Sequence, residues 1–241
     1  MSVAREEVTA ASKNALAAVA ASRLLDVLAP ATAERDAHVS LTGGSMGSAV
    51  LDVLAAHDRR AEVDWSRVHF WYSDERFVER DSDERNITPA RAALAALTGA
   101  RVHEPWGTED GTLDDAAAAY AAELADAAPA GLPAPAFDVL FLGVGPDAHV
   151  ASLFPGRDEI LESAATVLPV RNSPKPPPER VTFTLPIING AERVWMVVAG
   201  ADKAEAVVKI RENAAPQLAP AAQVRGTLET VLFLDEAAAG A

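Results

Sequence analysis

The amino-acid sequence predicts an α/β fold: a doubly wound, mostly parallel sheet with helices on both faces, of the Rossmann-like type. Segments with strand character alternate along the chain with segments of helical periodicity, as in sheets of this kind. Residues 137–142, FDVLFL, form a run that is apolar except for Asp138 near its start, as expected for a strand buried on both faces. Because the chain has 241 residues, 49% of them hydrophobic, a single domain with one core is predicted over residues 1–241.

The N-terminal half supplies the first repeats of this alternation. Apolar spacing over residues 5–28 predicts a first helix. Residues 39–42 are a predicted strand that two glycines end, and Ser45 is the predicted N-cap of the helix that follows. A second strand at residues 68–72 runs into the loop SDERF, and the next helix is predicted at residues 89–97.

The C-terminal half continues the pattern. Residues 113–127 predict a helix, and the proline-rich stretch 128–136 predicts an exposed connection within the domain. A further helix is predicted at residues 202–212. Besides the run at 137–142, strands are predicted at residues 166–170, 181–184, 194–199 and 230–234. Ligands of such sheets bind beyond the carboxyl ends of the strands, where the glycine-containing turns of this chain are expected.

Composition excludes several classes of function. The chain contains no cysteine, which excludes disulfides, thiolate nucleophiles and Cys-based zinc sites. A formal net charge of -14 and the lack of a basic stripe argue against a nucleic-acid partner. No apolar run approaches the roughly 20 residues of a membrane span, and acidic residues occupy the start of the chain. We therefore expect no membrane partner and a cytoplasmic location.

The first candidate site is the turn TGGS at residues 42–45. Its backbone N–H groups stand at a predicted helix start, where Gly43 and Gly44 would allow a phosphate to approach. A capped turn without a ligand is an equally good interpretation of this segment alone. The same residues, GGSMG, also fit the nucleophile elbow of serine hydrolases. A triad of Ser45, Asp74 and His149 therefore remains a minority alternative, although it would place the histidine in mid-sheet.

The second candidate site is the segment GVGPDAHVASLFPG, which follows the buried strand at residues 137–142. Among the five histidines of the chain, His149 is the one that closes a glycine-rich turn after a strand. Since an unperturbed imidazole titrates near pH ~6.5, it can accept a proton from water at neutral pH. Asp147 would cap the turn or orient the imidazole. The segment also matches a dinucleotide fingerprint, but Asp147 would place a negative charge where a pyrophosphate must bind.

Three further segments carry groups suited to a hydroxylated anion. Asp74, Glu75 and Arg76 follow the strand at residues 68–72, and a guanidinium can bind oxyanions in a bidentate manner. The proline-rich segment SPKPPPER carries Lys175 and Arg180, as a cationic lid or as a rigid connection. Lys203 stands at the start of the helix predicted after the strand at residues 194–199. Surface loops often resemble the first of these segments, and for Lys203 a solvated position at the helix start is the plainer interpretation.

Taken together and in this order, the segments resemble the 6-phosphogluconolactonase family, a branch of the group that also contains glucosamine-6-phosphate deaminases. The resemblance is carried by TGGSMG, SDERFVERDSDERN, GVGPDAHVASLFPG, SPKPPPERVTFTLPIIN and VVAGADKAEAV, and it spans most of the chain. The deaminase branch usually has Tyr after its Asp-Glu pair and Asn-Glu-Pro shortly after its histidine. Arg76 and the sequence SLFP at residues 152–155 stand at those places here, which favours the lactonase branch.

The resemblance implies an activity and a set of site residues. It implies that His149 acts as the general base that activates water for hydrolysis of a sugar-phosphate lactone, with Asp147 ordering the site. Neither a metal nor an organic cofactor is expected, and the protein is expected to be a monomer or homodimer. The residues expected to bind the substrate or line its site are Gly43, Gly44, Ser45, Asp74, Glu75, Arg76, Lys175, Arg180 and Lys203.

Two positions depart from the family pattern. The family usually has Gly where this chain has Ala148, and a methyl group there is expected to be tolerated only if the residue avoids positive φ. The family commonly has Ser where Arg85 precedes Asn86, and Arg85 is expected to change how its loop meets the substrate.

Overall fold

A computed structural model describes residues 4–240 and contains an α/β fold with two sheets. The helices are α1 (Lys13–Glu34), α2 (Gly44–Ala56), α3 (Arg91–Ala96), α4 (Leu113–Asp126), α5 (Leu185–Asn189), α6 (Ala204–Arg211) and α7 (Glu236–Ala239). The strands are β1 (Arg5–Ala10), β2 (Ala37–Leu41), β3 (Val68–Tyr72), β4 (Asp74–Arg76), β5 (Arg101–Val102), β6 (Val139–Gly143), β7 (Val167–Val170), β8 (Arg180–Phe183), β9 (Arg193–Val198) and β10 (Glu229–Asp235).

Seven strands form the central sheet in the order β1-β10-β9-β6-β2-β3-β5, and every neighbouring pair is parallel. From β2 the chain first builds outward through β3 and β5, and it then returns to the other side of β2 with β6. The strand order therefore reverses between β2 and β6. In doubly wound sheets this reversal opens a crevice at the carboxyl ends of the two strands.

Helices cover both faces of the central sheet, as predicted. Helices α1, α2 and α3 contribute to one buried apolar cluster, and α4, α5, α6 and α7 contribute to the other. Along β9, Val194, Met196 and Val198 belong to the second cluster, whereas Trp195 and Val197 belong to the first. This alternation follows from the two-residue period of a strand, and it explains why β9 carries apolar residues at successive positions.

The predicted first helix over residues 5–28 is wrong at its start. Residues 5–10 form the edge strand β1, which pairs in parallel with β10, and α1 begins only after Ser12 caps it by accepting a hydrogen bond from the Ala15 N–H at 3.3 Å. Helical periodicity in this short segment was outweighed by pairing with the free edge of β10, which satisfies the backbone of residues 5–10 while Val8 packs on the core.

A second, three-stranded sheet runs antiparallel in the order β4-β8-β7. The strands predicted at residues 166–170 and 181–184 exist, but they join this small sheet instead of the central one. Residues 74–76, which were predicted to lie in a loop, form β4. Because β4 directly follows β3, the small sheet lies beside the carboxyl end of the central sheet, and β8 brings Arg180 to the same place.

The start of α2 also differs from the prediction. Gly43 is the N-cap and makes no side-chain capping bond, while Ser45 is exposed in the first turn. The first backbone N–H groups of a helix have no partner within it, and none here is capped by the side chain of the N-cap residue, which is the arrangement that can receive an anion.

Helix α1 is long and apolar enough to cross a membrane by length and composition, which differs from the expectation that no segment would be. Eight of its residues, including Leu16, Leu24 and Leu28, are buried, and seven of these eight belong to the apolar cluster under the central sheet. This packing accounts for the apolar character of the helix.

Candidate active site

A cavity of about 180 Å³ opens where the strand order reverses, at the carboxyl ends of β2 and β6. Segments that are far apart in sequence meet there: the turn after β2, strand β4, the turn after β6, the proline-rich loop before β8 and the turn after β9. The residues that line it are Thr42, Gly43, Gly44, Asp74, Arg76, Asn86, Gly143, Val144, Gly145, Pro146, His149, Ala151, Lys175, Arg180 and Lys203.

The imidazole of His149 is paired with a carboxylate. Its Nδ1 lies 2.6 Å from Asp147 Oδ1, and among residues 4–240 all hydrogen bonds of the ring are made through Nδ1. The side chain is 15% exposed and packs against the ring of Phe154 with the centroids 4.6 Å apart. If Nδ1–H donates to Asp147, then Nε2 carries the lone pair that can accept a proton.

The tight turn at Gly145 makes room for this pair. A Cβ atom added at Gly145 would lie 2.0 Å from His149 Nδ1 and 2.5 Å from Asp147 Oδ1. The Gly145 N–H donates to the His149 carbonyl at 3.0 Å, so the backbone of the turn closes on itself beneath the imidazole. Any side chain at Gly145 would therefore displace the histidine.

Lys175 extends from the proline-rich loop to the same pair. Its Nζ lies 3.4 Å from Asp147 Oδ1 and 3.3 Å from His149 Nδ1. Burial by itself would raise the pKa of Asp147, but the hydrogen bond from His149 and the charges of His149 and Lys175 outweigh it and hold that pKa well below its usual range. Asp147 therefore stays ionised near neutral pH and can orient the imidazole.

Within the described residues 4–240, four cationic side chains line the cavity: Arg76, Lys175, Arg180 and Lys203. Arg180 is 4% exposed, and it donates to the carbonyls of Pro177, Lys175 and Pro176, which fixes the proline-rich loop in place. In a chain with a formal net charge of -14, this local concentration of positive charge is suited to a small anion.

Asp74 is the acidic group in the lining, and it is held by three neighbours. Its Oδ2 accepts a hydrogen bond from Ser152 Oγ at 2.7 Å and lies 3.8 Å from a terminal nitrogen of Arg180, while its Oδ1 lies 3.4 Å from Asn86 Nδ2. With its carboxylate engaged in this way, Asp74 orders Arg180 and Asn86 in the cavity.

Glu75 was predicted to line the site, but the structure places it outside the lining. It is 1% exposed, and its carboxylate accepts hydrogen bonds from the backbone N–H groups of Arg76, Asn86 and Ile87 at 2.7, 2.6 and 3.1 Å. Consecutive residues of an extended strand point to opposite sides, so Asp74 faces the cavity and Glu75 faces the interior.

Arg85 does not contact the cavity, which differs from the expectation that it would alter the substrate contacts. Its side chain is fully buried, with Nε 3.7 Å from Glu75 Oε2 and a terminal nitrogen donating to the Pro105 carbonyl at 2.6 Å. The interior position of Glu75 provides the countercharge that a buried guanidinium requires.

Ala148 adopts φ = 69°, so the expectation that its methyl group would require a negative φ is wrong. The residue is completely buried, and its N–H and carbonyl bond to the Gly145 carbonyl and to the Ala221 N–H, both at 2.9 Å. These contacts hold the left-handed conformation although it costs about 1–2 kcal/mol for a residue with a Cβ atom.

Ser45 was predicted to bind substrate, but its side chain is exposed and is not part of the lining. The alternative triad of Ser45, Asp74 and His149 is not formed either. His149 pairs with Asp147, and Asp74 pairs with Ser152. The remaining predicted residues that line the cavity are Gly43, Gly44, Asp74, Arg76, Lys175, Arg180 and Lys203.

Several lining residues were not predicted, and Asn86 is the most informative of them. Its Oδ1 lies 1.8 Å from where a Cβ atom of Gly43 would stand, and its Nδ2 donates to the Asp74 carbonyl at 2.9 Å. The motif SDERN contained the signal, but only the folded chain shows that this amide fills the space above Gly43. Among residues 4–240, no group of three or more His, Asp or Glu side chains is arranged to hold a metal ion.

Fold and cavity together define the class: an α/β protein that holds a histidine–carboxylate pair in a cationic cleft at the carboxyl edge of a parallel sheet. The family model described as glucosamine-6-phosphate isomerases/6-phosphogluconolactonase matches residues 11–233. The chain belongs to this family of enzymes, as the sequence motifs predicted.

Individual relatives agree with this assignment. The chain is 46% identical over 239 residues to a protein of Streptomyces coelicolor named 6-phosphogluconolactonase, covering 94% of this chain and 90% of the relative. It is 44% identical over 232 residues to the 6-phosphogluconolactonase of Mycobacterium tuberculosis, covering 93% of each. The solved structure of the 6-phosphogluconolactonase from Trypanosoma brucei is similar with a TM-score of 0.87 at 26% identity, covering 99% of both chains.

Proposed function

We propose that the protein hydrolyses 6-phospho-D-glucono-1,5-lactone to 6-phosphogluconate, with His149 as the general base on water. The relatives at 46% and 44% identity carry the name of this activity. The observation that carries the proposal is the 2.6 Å contact between His149 Nδ1 and Asp147 Oδ1 at a cavity lined by four cationic side chains.

In the first half of the proposed reaction, Nε2 of His149 takes a proton from a water molecule, and the water oxygen attacks the lactone carbonyl carbon. Asp147 stabilises the imidazolium that forms, because its carboxylate accepts the Nδ1–H. The carbonyl oxygen gains negative charge in the tetrahedral intermediate, and the ammonium of Lys175, which lies 3.3 Å from His149 Nδ1, is the cation proposed to offset it.

In the second half, the bond between the carbonyl carbon and the ring oxygen breaks. The ring oxygen leaves as a hydroxyl group after it receives the proton from His149 Nε2, and the base is regenerated. The carboxylic acid product then loses its proton to solvent. This sequence needs neither a redox partner nor a nucleophilic side chain, since water supplies the entering oxygen.

The phosphate of the substrate is proposed to bind away from His149, where a cation and backbone donors converge. Lys203 lines the cavity after β9, and the N–H groups at the start of α2 adjoin it next to Gly44. A phosphate there would be stabilised by the helix dipole and by the ammonium group.

Hydrolysis of this lactone belongs to the oxidative pentose phosphate pathway, as the name 6-phosphogluconolactonase of the relatives implies. The cytoplasmic location, the single domain and the monomeric or homodimeric state stay predictions.

The test is a comparison of His149→Ala and His57→Ala with freshly prepared lactone, after subtraction of spontaneous hydrolysis. General-base catalysis contributes roughly 10²- to 10⁴-fold, so His149→Ala should lose about that much in kcat. His57, at the end of α2, does not line the cavity, and its variant should keep wild-type turnover. Wild-type kcat in a folded His149→Ala variant would refute the assignment. Covalent labelling of Ser45 by an organophosphate, with loss of activity, would instead support the serine-hydrolase alternative.

A further inference from the structure

Glu75 is a buried carboxylate that a bound substrate would not reach, yet it is connected directly to the cavity. Three backbone N–H groups donate to it, two of them from Asn86 and Ile87. These bonds tie the segment at residues 85–87 to β4, which precedes it by about ten positions in the chain. The position of Asn86 therefore depends on a group outside the lining.

Asn86 in turn occupies a defined place in the cavity. Its side-chain amide donates to the Asp74 carbonyl at 2.9 Å, and its Oδ1 and Cγ stand 1.8 and 2.2 Å from the ideal Cβ position of Gly43. The amide thus packs directly on the turn between β2 and α2. That turn carries the backbone N–H groups proposed above to receive the phosphate.

We propose that Glu75 is a positioning residue, which holds the Asn86 side chain against Gly43 and thereby shapes the part of the cavity that receives the substrate anion. The inference rests on the proposed function, since it concerns the binding of the same sugar phosphate. Glu75 is not a catalytic residue in this scheme, because it lies outside the lining and acts through the position of Asn86.

The role requires Glu75 to be ionised, since a carboxylate can accept all three N–H donors whereas a protonated acid turns one oxygen into a donor. Burial raises the pKa of Glu75 to about 7, and the charge of Arg85 is the largest influence in the opposite direction. Glu75 interacts electrostatically with five charged or titratable groups around it: Arg85, Asp74, Arg180, Tyr72 and Tyr120. Arg85 is thus the cation that most favours the ionised form, and the carboxylate becomes largely ionised as the pH rises above about 7.

The main experiment is a double-mutant cycle between Glu75→Gln and Asn86→Ala. Glu75→Gln turns an amide NH₂ toward backbone donors, and we expect KM for the lactone and Kd for 6-phosphogluconate to rise about tenfold while kcat stays within about twofold. In the Asn86→Ala background, Glu75→Gln should add no further change in KM. Equal effects of Glu75→Gln with and without the Asn86 side chain would overturn the inference.

Asp138→Asn is the matched control for loss of a buried carboxylate. Asp138 is 2% exposed, accepts the His38 N–H at 2.9 Å and pairs with Arg35, but it stands before β6, at the opposite end of that strand from the cavity. Its substitution should lower the melting temperature without changing KM. A KM increase in Asp138→Asn equal to that in Glu75→Gln would show a general loss of order and would also overturn the inference.

Two further variants keep the test decisive if Glu75→Gln fails to fold. Arg85→Gln removes the countercharge and should raise the pKa of Glu75 further. Its KM should therefore rise relative to wild type more at pH 8.5 than at pH 6, where the wild-type carboxylate is already largely protonated. Gly43→Ala places a methyl group against the Asn86 side chain. The backbone itself tolerates alanine, because φ of Gly43 is -74°. Its KM should rise, and Gly43→Ala/Asn86→Gly should recover part of that loss. A flat pH response or no recovery would contradict the inference.

The outcomes also separate this inference from the proposed function. If the wild-type protein does not hydrolyse the lactone, the proposed function fails, and the cycle is then read from the Kd for 6-phosphogluconate alone. If the wild-type protein hydrolyses the lactone and Glu75→Gln leaves both KM and Kd unchanged, only the positioning role fails.

Discussion

Gly145→Ala is expected to abolish most of the activity without unfolding the protein. The added Cβ would stand 2.0 Å from His149 Nδ1 and 2.1 Å from its Cε1, whereas non-bonded heavy atoms rarely approach closer than about 3 Å. The imidazole must therefore move by about 1 Å. A displacement of this size at a reacting group can reduce turnover about 10²-fold, equivalent to about 2.7 kcal/mol of transition-state stabilisation. Gly145 does not have a positive φ, so alanine adds no backbone strain.

The measurement is kcat for lactone hydrolysis at saturating substrate, corrected for the spontaneous rate, together with the melting temperature. Gly190→Ala provides the control, because a Cβ at Gly190 would approach its nearest neighbour, the Pro186 carbonyl oxygen, only to 3.3 Å. That variant should keep wild-type kcat. If Gly145→Ala is folded and turns over at the wild-type rate, the close packing of Gly145 beneath His149 does not govern catalysis, and the reasoning is refuted.

Two further predictions concern stability. Ala148→Gly should change the free energy of unfolding by less than about 1 kcal/mol, because relief of the strain at φ = 69° offsets the extra chain entropy of glycine. Ala148→Val should lower the free energy of unfolding by more than about 2 kcal/mol, because a β-branched residue is poorly tolerated at positive φ. Urea denaturation that gives the two variants equal stability would contradict this. Burial lowers the pKa of His38 from 6.5 to about 4, so the neutral ring stabilises the fold above pH 6.5 and this stability is lost as the pH falls toward 4. His38→Gln retains an acceptor for Trp71 Nε1 but does not titrate. Between pH 6.5 and 4, the unfolding free energy of this variant should therefore fall by about 1 kcal/mol less per pH unit than that of the wild type. An unchanged slope of unfolding free energy against pH would refute this prediction.

The sequence predicted the parallel core of the fold well because that information is local. Strand β3 has the predicted bounds of residues 68–72, and α4 ends within one residue of the predicted helix. The turns after β2 and β6 were found because glycines interrupt apolar runs there. Each of these signals lies within a few neighbouring residues, which is the range over which strand and helix periodicities act.

The errors share a different cause. Residues 5–10 became an edge strand because β10 offered a free edge, and β10 lies more than 200 positions away in the chain. The strands β7 and β8 joined β4 in a separate sheet for a similar reason. Pairing between distant segments overrides local preference, and the sequence of either segment alone does not contain its partner.

By itself the sequence determined the alternation of strands and helices, the strand-end turns and the identity of the motif residues, since all of these depend on neighbours along the chain. The tertiary structure decided which of those residues share a cavity. It brought Lys175 to His149 across 26 positions and turned Glu75 inward to Arg85, away from the cavity it was predicted to line. These outcomes depend on burial and on the direction of each side chain, and both are fixed only when distant segments pack together.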